Sequence, residues 1–384
     1  MHPLFAATLL LSAPHGTVYD DRNTNGRRDT GEPGIAGVVV SNQDTVVRTD
    51  ASGTYTINGP GVGIVHVSVP DGWRATGSFW LPMAANTDAP LDFGLTKARR
   101  ADSFSFVHAS DTHISAASAA RTDRLRAMVD SLRPAFVLIS GDLVRDALRV
   151  GEAEATGYYQ LFNQKIGTFP VPTFTVPGNH EVFGIETDKS KVSPDHPLFG
   201  RAMYRRYRGP DYYSFNVGGV HVVALNSVDI SDQWYYGHVD SMQLAWLKRD
   251  LAMVPPSTPV VTFNHIPFFS SSESLQGYKD GPPAPSLITV RGKTRYRHTV
   301  SNASDVLALF TGHAYLLALS GHGHMAERLR FAGVATRFDE ASAIVGPSGG
   351  AGMTFPSGIT LYRVRRGTIE EGRFIPLGAD STAR

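Results

Sequence analysis

Five apolar, β-forming stretches of this chain each run directly into side chains able to hold a metal ion. SFSFVHAS (103–110) leads into Asp111-Thr112-His113, FVLIS (136–140) into Gly141-Asp142, and VPTFTV (171–176) into Gly178-Asn179-His180-Glu181 after one proline. PVVTF (259–263) leads into Asn264-His265, and YLLALS (315–320) into Gly321-His322-Gly323-His324. Each ending alone reads equally well as a turn, because Gly-Asp and Gly-Asn are common turn pairs. A single histidine is more often packed or solvated than a ligand. Five such endings in order constrain the chain far more tightly. In an open α/β sheet, ligands bind outside the carboxyl ends of the strands, so the five can converge on one cleft. The glycines are expected to let the backbone turn and approach an ion with no Cβ in the way.

The stretches between these strands have helical character. Leu125, Met128, Val129 and Leu132 recur at i, i+3, i+4 and i+7, which predicts a helix over 121–132, and 152–166 predicts a second. YYSFNVGGVHVVALN (212–226) reads as a hairpin turning at Gly218-Gly219. Asp240 and Gln243 form the pattern of a capping box for a helix carrying Leu244, Leu247 and Leu251. Strands are expected again in the C-terminal 60 or so residues.

Residues 16–95 follow a different rule. GVVVSN, TVVRTD, GTYTI and VHVSV are short β-branched runs broken by Gly, Asp and Pro, which predicts a small all-β sandwich. The polar, basic 96–102 reads as a linker, and 103–384 as a larger α/β domain. In MHPLFAATLLLSAPHG, an apolar run precedes small residues as in a secretory signal peptide over 1–15, though no Lys or Arg comes before it. A first strand is the other reading. No later segment reaches transmembrane length. The expectation is an exported protein.

Composition narrows the chemistry. With no Cys, thiolate catalysis and zinc-cysteine sites are excluded, and a metal must use His, carboxylates and amides. A net charge of +1 implies no general attraction to nucleic acid or anionic membrane.

The series Asp-x-His, Gly-Asp, Gly-Asn-His-Glu, a single His and Gly-His-x-His resembles the calcineurin-like metallophosphoesterases over roughly 104–365. The resemblance implies an α/β/β/α four-layer sandwich with a two-metal centre on one edge. It places Asp111, His113 and His324 on one metal and Asn179, His265 and His322 on the other, with Asp142 bridging both. His180 would reach the substrate phosphate instead of a metal, with Glu181 orienting it. Purple acid phosphatases, a branch of this superfamily, carry a tyrosine ligand three residues after the bridging Asp. Here that position is Arg145, so an iron–tyrosinate site is not expected.

Such a ligand set holds two ions about 4 Å apart, the arrangement of two-metal hydrolysis. The expected reaction is attack on a small phosphoester by a metal-bridging hydroxide, with His180 assisting the leaving group. Imidazole and oxygen donors suit Mn, Fe or Zn.

DRNTNGRRDTGE places Asp21, Asn23, Asn25, the Arg27 carbonyl, Asp29 and Glu32 at the positions of a twelve-residue calcium loop. It resembles the calcium-braced loop of the B-type repeats of bacterial surface adhesins; a solvated Asx-rich turn is the other reading. These features frame a second function, a non-catalytic, calcium-braced surface protein that uses the phosphoesterase fold as a platform. For substrate recognition, Arg291, Lys293, Arg295, Arg297 and His298 read as a basic edge strand, more simply solvated than substrate-binding. Phe268, Phe269 and Tyr278 offer base stacking or a satellite core. GPSGGAGM (346–353) reads as a loop beside the cleft or a connector.

Overall fold

The computed structural model describes residues 13–83, 89–279, 281 and 285–378. The N-terminal apolar run, residues 1–12 of the signal-peptide expectation, lies outside them. The chain divides into two compact units, residues 1–99 and 100–384.

The first unit consists of two four-stranded sheets. In one, His15–Asp20 pairs antiparallel with Thr54–Thr56 and parallel with Phe93–Lys97. In the other, Val39–Ser41 lies between Val46–Arg48 and Ile64–Ser68. Alternation places Tyr55 inside while Thr54 and Thr56 face out. Val18, Val40, Val65, Val67, Phe93 and Leu95 complete the shared core. Burial of these side chains, each worth roughly 1.5–3 kcal/mol, is what a small sandwich relies on.

The second unit holds two six-stranded sheets. In the first, Thr173–Thr175, Phe136–Ile139 and Ser103–Ala109 run parallel, and Gly358–Arg365 joins antiparallel. In the second, Val220–Ala224, Pro259–Phe263, Ala314–Ser320 and Arg337–Glu340 are parallel neighbours. The sheets meet through aromatic side chains: Phe174 stacks on Phe215 at 3.9 Å, and Phe136 meets the same ring edge-on. Helices Ala119–Leu132 and Glu152–Ile166 pack on the first sheet through Leu125, Val129, Tyr159 and Phe162. Helix Ser241–Leu251 belongs with the second and buries Trp246, Leu247 and Leu251. The result is the four-layer α/β/β/α sandwich, and the carboxyl ends of the parallel strands share one edge.

Two local expectations need correction. Asp240 does cap its helix, accepting from the Gln243 backbone N–H at 2.9 Å. The Gln243 side chain, however, does not return to close a box. It is buried and clamps Asn226, accepting from its N–H and donating to its carbonyl. The basic run is not one solvated strand either. Leu287–Val290 and Lys293–Tyr296 form a hairpin that turns at Arg291-Gly292. Arg297 leaves it and is buried, donating to the Pro285 carbonyl and lying over the Tyr235 ring at 4.2 Å.

Candidate metal centre

Backbone conformation singles out the site before any side-chain chemistry does. Among the described residues, thirteen non-glycine residues have positive φ, and five of them are Asp111, His113, Asp142, His322 and His324. Each such residue costs on the order of 1–3 kcal/mol and persists where surrounding structure imposes it. Here the imposing structure is a mesh between loops. His113 N–H donates to the Asp142 carbonyl at 2.9 Å, Asp111 N–H to the Gly141 carbonyl at 3.0 Å, and Gly321 N–H to the His265 carbonyl at 3.0 Å.

The glycines serve this mesh more than any ion. A Cβ on Gly178 would collide with the Asp142 carboxylate, and one on Gly321 with the Ser110 hydroxyl and Asp111. They let neighbouring loops touch one another.

Two groups of side chains result. Ligand atoms of Asp111, His113, Asp142 and His324 all lie within 4.8 Å of one another, as do those of Asp142, His265 and His322. Asp142 is common to both. Asn179 joins the second group, its Oδ1 3.1 Å from His265 Nε2. The donor set fits a pair of ions. His113 Nε2 and His324 Nε2 face each other at 3.2 Å, and His265 Nε2 and His322 Nδ1 at 3.1 Å. Neighbouring nitrogens on one ion, with bonds of ~2.1 Å, stand about 3.0–3.4 Å apart. The buried Asp111 Oδ1 accepts no hydrogen bond and points at His324 Nε2, 3.1 Å away. His265 Nδ1 lies 2.7 Å from the Ser140 carbonyl, which orients the ring and directs Nε2 inward.

The electrostatics agree. Burial alone would raise Asp111 and Asp142, yet the histidines around them hold both carboxyls well below the usual range. Against the same burial penalty, the carboxylates raise His113 to about 9 and His265 to about 10. The cluster stabilises positive charge between its members, which divalent ions supply with the imidazoles neutral.

His180 stands outside both groups. Its Nε2 is 3.8 Å from Asp142 Oδ2, and its ring sits edge-on to His113 at 4.5 Å. Glu181 does not orient it. The Glu181 carboxylate accepts from the Val144 and Gly178 N–H groups, tying two site loops together, and burial with the nearby Asp142 charge raises it to about 7. The carboxylate beside His180 Nδ1 is Asp146, at 4.0 Å.

The cavity over the cluster, about 210 Å³, is also lined by Tyr235, Glu273, Lys279 and His298. The sequence reading passed over most of these. Tyr235 arrives on a hairpin, Val228–Ser231 with Trp234–Gly237, marked only by the short aromatic run Trp234-Tyr235-Tyr236. His298 belongs to the basic segment; its Nδ1 is 2.7 Å from His322 Nε2 and its ring stacks on that ring. Phe269 packs against Phe331 and Phe338 away from the cavity lining, which is the satellite-core reading. GPSGGAGM holds the first strand and the turn of a hairpin, Ser348–Gly350 with Met353–Phe355, and Ser348 Oγ donates to the His324 carbonyl.

In the first unit, the Asp21–Glu32 loop is closed by its own side chains. Asp21 accepts from the Asn25 and Gly26 N–H groups, and Glu32 from those of Arg22 and Asp29. The Asn23 and Asn25 amides donate to Asp29. The atoms this loop would offer a cation are all oxygens, the set that a hard cation such as calcium takes.

A family profile for calcineurin-like phosphoesterases matches residues 104–326, and one for SdrD B-like domains matches 16–95. The chain is 31% identical over 140 residues to the serine/threonine-protein phosphatase CPPED1 of Danio rerio, covering 36% of this chain and 42% of that protein. It is also 31% identical over 120 residues to probable purple acid phosphatase 20 of Arabidopsis thaliana, covering 28% of this chain and 25% of that one. The chain therefore spans less than half the length of these curated relatives. A dimetal phosphatase from Danio rerio superposes with a TM-score of 0.44 at 15% identity, over 72% of this chain and 99% of that one.

Proposed function

Because the chain belongs to the calcineurin-like phosphoesterase family, we propose that it is a metal-dependent hydrolase of a small phosphoester. The observation that carries this reading is the pair of ligand groups sharing Asp142. Asp111, His113 and His324 would hold one ion with Asp142, and Asn179, His265 and His322 the other. Such a pair of Mn, Fe or Zn ions supplies an activated water and neutralises charge on the phosphoryl oxygens.

The protein's own residues do the rest. Asp142 holds the His180 loop in register by accepting the His180 N–H at 2.9 Å. Burial holds the His180 imidazole below its ordinary value despite the Asp142 charge, so near neutrality it offers an imidazole N–H to the oxygen of the departing group. Arg145, where purple acid phosphatases carry a tyrosine ligand, is exposed, in keeping with a site that uses no tyrosinate. With manganese added, the protein should hydrolyse bis-p-nitrophenyl phosphate or p-nitrophenyl phosphate. No turnover of either with Mn, Fe or Zn would overturn the assignment and favour the adhesion reading.

The SdrD B-like match supports export to a calcium-rich compartment and a calcium ion in the Asp21–Glu32 loop. No helix among the described residues is long and apolar enough to cross a membrane. An ion bound only by the folded loop stabilises it by about 2.7 kcal/mol at a hundredfold excess over Kd. In the full chain, calcium should slow amide hydrogen exchange across residues 21–32, and Glu32→Gln should largely abolish that protection. Unchanged exchange in the unsubstituted protein would make the loop a turn and nothing more.

A further inference from the structure

We propose that a cavity beside the metal cluster binds a second anionic group of the substrate, a phosphate or carboxylate carried on the same molecule as the scissile phosphoester. This rests on the phosphoesterase reading and deepens it. The cavity has a volume of about 480 Å³, and its walls include His113, Ser115, Ser118, Arg121, Arg124 and Arg145. Among the described residues, its other lining residues are small and apolar, and none is acidic. The cavity over the metal cluster, by contrast, includes Glu273 as well as Lys279.

His113 lines both cavities. The walls of the second are outgrowths of the loops that carry the metal ligands. Ser115 and Ser118 lie two and five residues after His113, and the Ser118 hydroxyl donates to the His113 carbonyl at 2.9 Å. Arg145 follows Asp142 by three residues, and its backbone N–H donates to the Ile114 carbonyl at 3.1 Å. An anion held here is therefore in fixed register with a phosphoryl group at the metals.

The chemistry favours an anion with two or more oxygens. Arg121 and Arg124 sit at i and i+3 of the helix Ala119–Leu132, on one face. Arg121 is buried and anchored, its Nε donating to the Ile344 carbonyl at 2.6 Å. An anchored guanidinium loses less freedom on binding, and planar forks match carboxylate and phosphate oxygens. Size points the same way. The space over the metals falls below the roughly 300–1,000 Å³ of small-molecule sites, whereas the arginine cavity falls within it.

Three substrates separate the cases: butyl phosphate, 1,4-butanediol bisphosphate and 4-phosphooxybutanoate. For the manganese-loaded protein, kcat/KM should favour the bisphosphate over butyl phosphate by about tenfold or more. The double substitution Arg124→Ala/Arg145→Ala, which spares the anchored Arg121, should bring that ratio close to one. An equal preference for 4-phosphooxybutanoate assigns the cavity to anions generally; preference for only one of the two names its source. Calorimetric binding of the bisphosphate to metal-stripped protein should also be lost in the double variant. No preference in the unsubstituted protein, or one that the variant keeps, would overturn the proposal. If none of the three and neither nitrophenyl ester is hydrolysed while arginine-dependent binding remains, the phosphoesterase reading fails and the anion site stands.

Discussion

Asp142→Ala should remove both transition-metal ions at once and lower phosphoester hydrolysis by more than ~10³-fold, since charge stabilisation by such ions is worth several kcal/mol. Asp142 is the one side chain common to both ligand groups. Asp111, confined to the first group, provides the contrast: Asp111→Ala should chiefly weaken one ion, leaving about one per chain after dialysis. Asp142 also accepts the His180 N–H, so Asp142→Asn, which keeps an acceptor there, separates charge from loop shape. Metal content by elemental analysis, with circular dichroism to confirm folding, reads the outcome. Two tightly held ions in Asp142→Ala would refute the shared-ligand arrangement.

His180→Ala should leave both ions in place and still slow hydrolysis of alkyl phosphodiesters by about 10²-fold or more, the usual cost of removing a positioned hydrogen-bond donor from developing charge. The loss should be clearly smaller on a p-nitrophenyl ester, because that leaving group is already stable as an anion and needs little help from a donor. Geometry supports the distinction: His180 stands outside both ligand groups yet within 4 Å of Asp142. His265→Ala is the counterexample. It should lose metal and slow both substrates alike. Equal losses in His180→Ala with metals intact would assign His180 to holding the phosphate, and loss of a metal would make it a ligand.

What could be read in the sequence was whatever depends on local order. Five of the parallel strands end in polar residues because the ligand-bearing loops begin where the ladder stops, so those strand ends and their convergence on one edge were visible as spacing. Long-range partners were not. Glu181 looked like an orienter of its neighbour, but its carboxylate bonds Val144 and Gly178. Asp146 takes the place beside His180 only because the 142–149 loop folds back, with Ala147 N–H donating to the His180 carbonyl at 2.8 Å. Gln243 fitted a local capping pattern and was drawn away by buried Asn226. Arg297 seemed one of a solvated row, yet it lies over Tyr235, brought from a hairpin sixty residues earlier. The positive φ of five candidate ligands could not be read either: Asp and His adopt such angles more often than most non-glycine residues, but at only a small share of their positions.

A two-ion centre that hydrolyses phosphoesters is tested most directly by titrating metal back into stripped protein. Protein freed of metal by chelation should be inactive on bis-p-nitrophenyl phosphate and p-nitrophenyl phosphate. Added manganese should restore activity on at least one of them, reaching a plateau at about two ions per chain. Full activity in the stripped protein, or a plateau at a single ion, would contradict the account.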